Sequence, residues 1–459
     1  MFRDGPLGAV AAFSAMSNDR TSSLVAAVLF AALSPPSLAG TDGTGLKPGD
    51  ILGAENCEQA TGMLPDEVLS HYCAGEWVNR IVAFDPKIAD PGEEWKRSSE
   101  ANRGKYALDE LGTIIDPKTG KQPQFIYAHP FPDIDERDPQ VALKLVWDFF
   151  YTFYSSGNQF THGGTLAWLD ANSKSPSRSV RADAREQFWD GMEPALRPAE
   201  NPRNLLSQAL AWVWFPADLQ GTVTLGYRFR DGDKRDANWA YVPALRRVRA
   251  VSPTNRSDGF LGSDLSQDDS FYFDGKPQDF KWRLIGKHKE LVRGGLQSFN
   301  GSLHWEPGAR QGSWRVSRDH LVRAGLNDPS WKGLPWAPID DVLVERPVWE
   351  VEAIPKDRYY LYGRIRLRLD ADYFRGTYNS KYSWQGEIMN MYNPTIPFGR
   401  SPDGKFWPYL AAVDAMVLAE NLKLHRATAS VNQTEFWEEL ELPFDPSFFE
   451  LDAVVTRGK

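Results

Sequence analysis

Cysteine is nearly missing from this chain, with only Cys57 and Cys73 in 459 residues. Two thiols exclude a small fold held by several disulfides, and they exclude a cysteine-rich metal domain. Histidine is scarce as well. Its seven copies, His71, His129, His162, His288, His304, His320 and His425, form no H-x-H or H-E-x-x-H pattern, so no metal site is predicted. Also missing are a G-x-S-x-G elbow, a Walker loop and a G-x-G-x-x-G following a strand, which removes the commonest hydrolase and nucleotide-binding signatures. No cofactor is expected. Positive charge is not in surplus: the formal net charge is −9, which offers nothing to a nucleic-acid backbone. Beyond residue 40 no segment approaches the run of about 18 apolar residues that a membrane span needs.

What the chain has in quantity is aromatic residues, with 17 Trp, 16 Tyr and 25 Phe. It also has a leader. Arg20 precedes the apolar run Leu24 to Leu33, and Ser37-Leu38-Ala39 supplies small residues where a signal peptidase reads them. The pattern predicts a secretory signal peptide over 1–39 with cleavage after Ala39, and Met16 is an alternative start to Met1. Gly40, where a lipid-anchored protein would have Cys, argues against lipidation. In an oxidising compartment Cys57 and Cys73 are expected to form one disulfide, worth roughly 3 kcal/mol. The segment 40–124 is Gly-, Pro- and charge-rich with weak periodicity, so it reads as an irregular arm with short elements, stapled by the disulfide, ahead of a main domain over 125–459.

Asp138 as N-cap and Pro139 at the first helical position introduce an apolar stripe at Ala142, Leu145, Val146, Phe149, Phe150 and Phe153. This predicts a helix from about Val141 to Tyr154, ended by Gly157. After Gly163 the period changes to two. In Thr222 to Arg230, Val223, Leu225, Tyr227 and Phe229 alternate with polar neighbours, as do Leu361, Ile365, Leu367 and Leu369 with Tyr362, Arg364, Arg366 and Arg368. Similar segments cover Thr165 to Asp170, Trp239 to Val242, Arg246 to Val251, Lys281 to Leu284, Val348 to Ala353, Gln385 to Tyr392 and Met416 to Ala427. A short second helix is read near Pro202 to Trp212. The expected fold is mainly β: a large, curved antiparallel sheet forming an incomplete barrel, with helices across its concave face. No fixed-period repeat supports a propeller. Trp282 with Leu284 and Trp349 with Val351 lie on the apolar side of their alternation, which suits a core or a cavity wall better than an exposed sugar platform.

The segment Trp239 to Asp269 sets a strand beside Arg246, Arg247 and Arg249 and follows it with Asp264, Asp268 and Asp269. Carboxylates buried together can serve as general acid and base. The reading favoured here is structural, with the three aspartates facing the three arginines as ion pairs across neighbouring strands.

Trp239-x-Tyr241-x-Pro243-x-Leu245-Arg246-Arg247-Val248-Arg249, followed by Asp264-Leu265-Ser266-x-Asp268-Asp269, resembles the motif of periplasmic outer-membrane lipoprotein-sorting proteins of the LolA/LolB-like superfamily. More narrowly, the chain is similar to a large uncharacterised family within it, a domain of unknown function from Gram-negative bacteria. Phe131-Pro132, Phe273-x-Gly275, Trp282-x-Leu284-Ile285-Gly286-Lys287, Tyr362-Gly363-Arg364 with Leu369-Asp370, and Tyr382 with Gly386-Glu387 carry the narrower likeness. The resemblance implies a half-barrel whose apolar hollow receives acyl chains or another lipophile, no catalysis, and exchange between an inner-membrane exporter of the resistance-nodulation-division type and the outer membrane. The lipoprotein carriers themselves are much shorter, so a different hydrophobic cargo is expected. Candidate cavity residues are Phe149, Phe153, Val223, Leu225, Tyr227, Phe229, Trp239, Tyr241, Trp282 and Leu284, and the helix near Val141 is either a plug or a movable lid. Two rival readings are an exported carboxylate-dependent hydrolase or lyase on glycans or lipids, and a scaffold that docks an exporter.

Overall fold

The period-two segments join one sheet. The computed structural model describes residues 45–252, 256–295, 305–318, 321–397, 415–431 and 434–458. The leader, its cleavage site and the alternative start lie outside them. Gly43–Lys459 is one compact unit. Its strands are β1 (Ile51–Leu52), β2 (Asn79–Val82), β3 (Ala107–Leu108), β4 (Ile114–Ile115), β5 (Gln159–Asp170), β6 (Arg178–Phe188), β7 (Leu205–Phe215), β8 (Val223–Phe229), β9 (Ala237–Val242) and β10 (Arg247–Val251). After these come β11 (Phe280–Arg293), β12 (Trp305–Pro307), β13 (Trp314–Val316), β14 (Val342–Pro355), β15 (Arg364–Asp370), β16 (Gly376–Tyr382), β17 (Ile388–Tyr392), β18 (Leu418–Asn421), β19 (Arg426–Ser430) and β20 (Trp437–Leu440). The helices are α1 (Asp66–Cys73), α2 (Gly92–Ala101), α3 (Val141–Tyr154) and α4 (Leu451–Arg457).

All strands but β3 and β4 belong to a sheet of 18 strands. Its antiparallel spine runs β11-β14-β15-β16-β17-β18-β19-β5-β6-β7-β8-β9-β10. Among the described strands β10 pairs only with β9 and β11 only with β14, so the sheet is not closed and forms an incomplete barrel. Arg247 and Arg249 on one edge, and Lys281, Arg283, Lys287 and Lys289 on the other, are exposed. Cations on an edge oppose strand pairing with another molecule.

Helix α3 covers one face, called the inner face below. Twelve of its 14 residues are buried, because this helix is apolar on nearly every side. The helix begins at Val141 rather than at Pro139: Asp138 accepts the Gln140 N–H at 2.8 Å in a local turn, and the N-cap position falls to Gln140. Its end is as expected, with Gly157 at φ +75°. The one acid buried on it, Asp148, accepts the Phe131 N–H at 2.9 Å.

Three parts differ from the sequence reading. Leu205–Phe215, expected to begin as a helix, is strand β7, and a bulge between Leu205 and Ser207 breaks the alternation that would have marked it. The arm, described from residue 45, holds two short helices but also enters the main sheet: β2 lies parallel to the start of β14, and the Asn79 side chain donates to the Pro338 and Asp341 carbonyls at 2.7 and 3.0 Å. Its disulfide, Cys57–Cys73, ties a 3-10 turn to α1, as expected. On the outer face, α4 and the turn Pro446–Phe449 cover β7 to β9, where Phe449 and Val454 pack on Leu205, Leu210, Val223 and Leu225.

Candidate ligand-binding site

The motif aspartates lie on a strap, residues 256–279, that runs in the chain between β10 and β11, the end strands of the spine, and crosses the inner face beside α3. Asp264 accepts from Arg426 (2.9 Å) and Asn421 (3.3 Å), and its N–H donates to Thr428, so this end is pinned to β18 and β19. Burial raises the Asp264 pKa, and Arg426 works against the rise. Asp269 closes a capping box with Ser266, taking its N–H at 2.7 Å and its hydroxyl at 2.9 Å, and forms an ion pair with Lys381 of β16 in which both side chains are buried. Phe271 and Tyr272 follow at φ +56° and +82°. This turn drives the Tyr272 ring into the core, where its hydroxyl accepts the Arg368 N–H (2.7 Å) and donates to the Tyr378 carbonyl (2.6 Å). Position 376 must be glycine there, since a Cβ would stand 2.0 Å from that ring.

Where the strap meets β11 and the end of β14 there is a cavity of about 540 Å³. Its floor is Phe280 and Tyr360, with ring centroids 5.5 Å apart, and both belong to the apolar cluster under α3. Its wall is charged. Arg256 donates to Asp268 (2.6 Å) and Asp274 (2.7 Å), Tyr360 donates to the other oxygen of Asp268 (2.7 Å), and Arg228 bridges Asp236 (3.0 Å) and Asp274 (2.6 Å). Burial lowers the Arg256 pKa, but the charges of Asp268 and Asp274 more than reverse this, so the guanidinium stays charged. Burial raises the Asp274 pKa, and the two arginines counter it. Lys276, 3% exposed, completes the wall, and Arg235, Lys356, Asp357 and Tyr359 line the cavity further out.

The ten candidate cavity residues do not lie together. Phe149, Phe153, Trp282 and Leu284 are on the inner face, Phe149 against Tyr272 (5.6 Å between centroids) and Phe153 against Phe271 (4.3 Å). Val223, Leu225, Tyr227, Phe229, Trp239 and Tyr241 face the other way, under α4. The lining of the 540 Å³ cavity includes none of the ten; the Trp282 ring lies 5.7 Å, centroid to centroid, from the floor ring of Phe280. The aspartates do not meet Arg246, Arg247 and Arg249, which are exposed at the turn into β10 and along that edge strand, while the acids lie across the inner face and pair with Arg426, Arg256 and Lys381. Only Asp268 of the motif reaches the cavity. Phe280, Tyr360, Arg256 and Lys276 carry no motif of their own, and only the adjacent motif and the aromatic run Tyr359-Tyr360-Leu361-Tyr362 point toward them in the sequence. Among the described residues no group of three His, Cys, Asp or Glu side chains is arranged to hold a metal ion, and no helix is long and apolar enough to cross a membrane.

A family model described as a protein of unknown function (DUF1329) matches residues 86–325. Among solved structures, a putative outer membrane lipoprotein-sorting protein domain from Vibrio parahaemolyticus is 13% identical, with 69% of this chain and all 100% of that one covered at a TM-score of 0.44. A DUF1329 family protein from Desulfovibrio piger is 13% identical, with coverage of 69% and 98% and a TM-score of 0.43. A LolA superfamily protein from Nitrosomonas europaea is 11% identical, with coverage of 68% and 98% and a TM-score of 0.37. No curated protein matches.

Proposed function

The chain belongs to the DUF1329 family of proteins of unknown function, and we propose that it is a periplasmic carrier that shields a lipid-like molecule and performs no chemistry. One observation carries the reading: the charged cavity of about 540 Å³ has an aromatic floor continuous with the apolar cluster under α3. An amphipathic molecule fits such a site, its polar end at the wall and its apolar part against Phe280, Tyr360 and Trp282. Each buried CH₂ contributes about 0.8 kcal/mol, enough for tight but reversible holding. Leu284 extends this bed beneath α3, and Phe149 and Phe153, on the helix itself, roof it and in this reading move aside with α3 as the chain enters. The six candidates on β8 and β9 hold α4. The aspartates act as anchors, because each is bonded to a cation.

The exchange partner in this reading is an inner-membrane exporter of the resistance-nodulation-division type, with the outer membrane as the other end of the route. The test is native mass spectrometry of the mature protein purified from periplasm without detergent, followed by lipid extraction. A stoichiometric bound lipophile is expected. An empty protein that also takes up no fluorescent acyl probe overturns the carrier reading.

A further inference from the structure

The charges around the cavity are not evenly answered. Asp236 and Asp268, the acids of its wall, are each bonded to an arginine, at 3.0 and 2.6 Å. Lys276 is different. It is 3% exposed, and its ammonium donates to the backbone carbonyls of Asp231, at 2.7 Å, and Lys234, without an ion pair among the described residues. Burial lowers its pKa, and the carboxylates of Asp236 and Asp279 act on it only from a distance. A buried ammonium held by neutral carbonyls alone is costly, and an anion in the adjoining space would relieve that cost. Lys356 is arranged alike, its Nζ donating to the Gln278 carbonyl at 2.6 Å from an exposed side chain at the rim. Asp279 and Asp357 share the cavity lining, but Asp279 is exposed and Asp357 half-buried, so water screens them more than the wall.

We propose that the cargo carries an anionic head, a carboxylate or phosphate, that seats against Lys276 and Lys356 while its apolar part lies on Phe280 and Tyr360. This rests on the carrier reading and adds the chemistry of the cargo.

The test is a fluorescence titration of the full mature protein with cis-parinaric acid and, separately, with its methyl ester. The acid is expected to bind at least about tenfold more tightly than the ester, the equivalent of about 1.4 kcal/mol. Lys276→Met should remove that preference, and Lys276→Arg should keep it. Equal binding of acid and ester by the unaltered protein overturns the anionic head and leaves the carrier reading standing. Binding of neither overturns both. The comparison of acid with ester holds even if Lys276→Met does not fold. Competition by lysophosphatidic acid but not by inorganic phosphate supports a lipid as the source of the anion. Competition by inorganic phosphate at the same concentration overturns the lipid and assigns the site to the free ion.

Discussion

Asp269 and Lys381 are shut away from water as a pair, at 0% and 2% side-chain exposure, and together they pin the strap to β16. Removing one partner of a buried pair leaves the other charge without compensation, at about 3–5 kcal/mol. Lys381→Met is therefore expected to lower unfolding stability by that amount in urea denaturation, and the double variant with Asp269→Asn by clearly less. A loss below about 1 kcal/mol for the single variant would show that the strap is not anchored here. Glu186 is a second buried group with a consequence. Burial pushes its carboxyl up to about 8 from an ordinary value of 4.5, and the charge of Asp274 adds to the rise. The folded pKa is raised, so between 4.5 and about 8 the folded protein keeps a proton that the unfolded chain has released. This group's contribution is thus fully present below 4.5 and is lost as pH climbs through about 8. Glu186→Gln removes that slope. Relative to the unaltered protein it should gain stability between pH 5 and 8, up to roughly 2–4 kcal/mol, in chemical denaturation across that range. Parallel stability curves for the two proteins would contradict the assignment.

At the scale of elements, local pattern was readable and long-range contact was not. The stripe Ala142, Leu145, Val146, Phe149, Phe150 and Phe153 located α3 to within a few residues, and alternation located strands at β5, β8, β9, β15 and β17. The failure at β7 is physical, because a bulge shifts the phase of its side chains between Leu205 and Ser207. For β8 the alternation was right and its direction was open. Its apolar side turned toward α4 because Phe449 and Val454, more than two hundred residues later, supply a second apolar layer there. The same distance hid the partners of the strap. Asp264 lies 162 residues before Arg426, and no local period links them. The disulfide was legible for the opposite reason, since two cysteines allow only one intramolecular pair. Cavity residues such as Lys276 and Tyr360 come together only once the strap, β11 and the end of β14 are assembled.

For the molecule as a whole, the antiparallel spine ends in two strands, β10 and β11, that each pair on one side only among the described strands. A net charge of −9 repels copies of the chain from one another only weakly at physiological ionic strength, where fields decay over about 8 Å. Protection must therefore be local, and both edges carry it in the sign opposite to the net charge: Arg247 and Arg249 on β10, and Lys281, Arg283, Lys287 and Lys289 on β11. Two copies meeting edge to edge would bring like charges together, which costs more than the added ladder of hydrogen bonds returns. Replacing Arg247 and Arg249 with Val leaves β10 reading Val-Val-Val-Ala-Val, an uncharged edge of high β propensity. Both arginines are exposed and neither lines the cavity, so the fold and acyl-probe binding should persist while self-association rises. In analytical ultracentrifugation the double variant is expected to sediment faster than the unaltered protein, increasingly so with concentration, and added salt should narrow the difference by screening the native edge. Identical sedimentation at every concentration would mean that the arginines are not what guards this edge, and would move that role to the turn at Arg246 that leads into it.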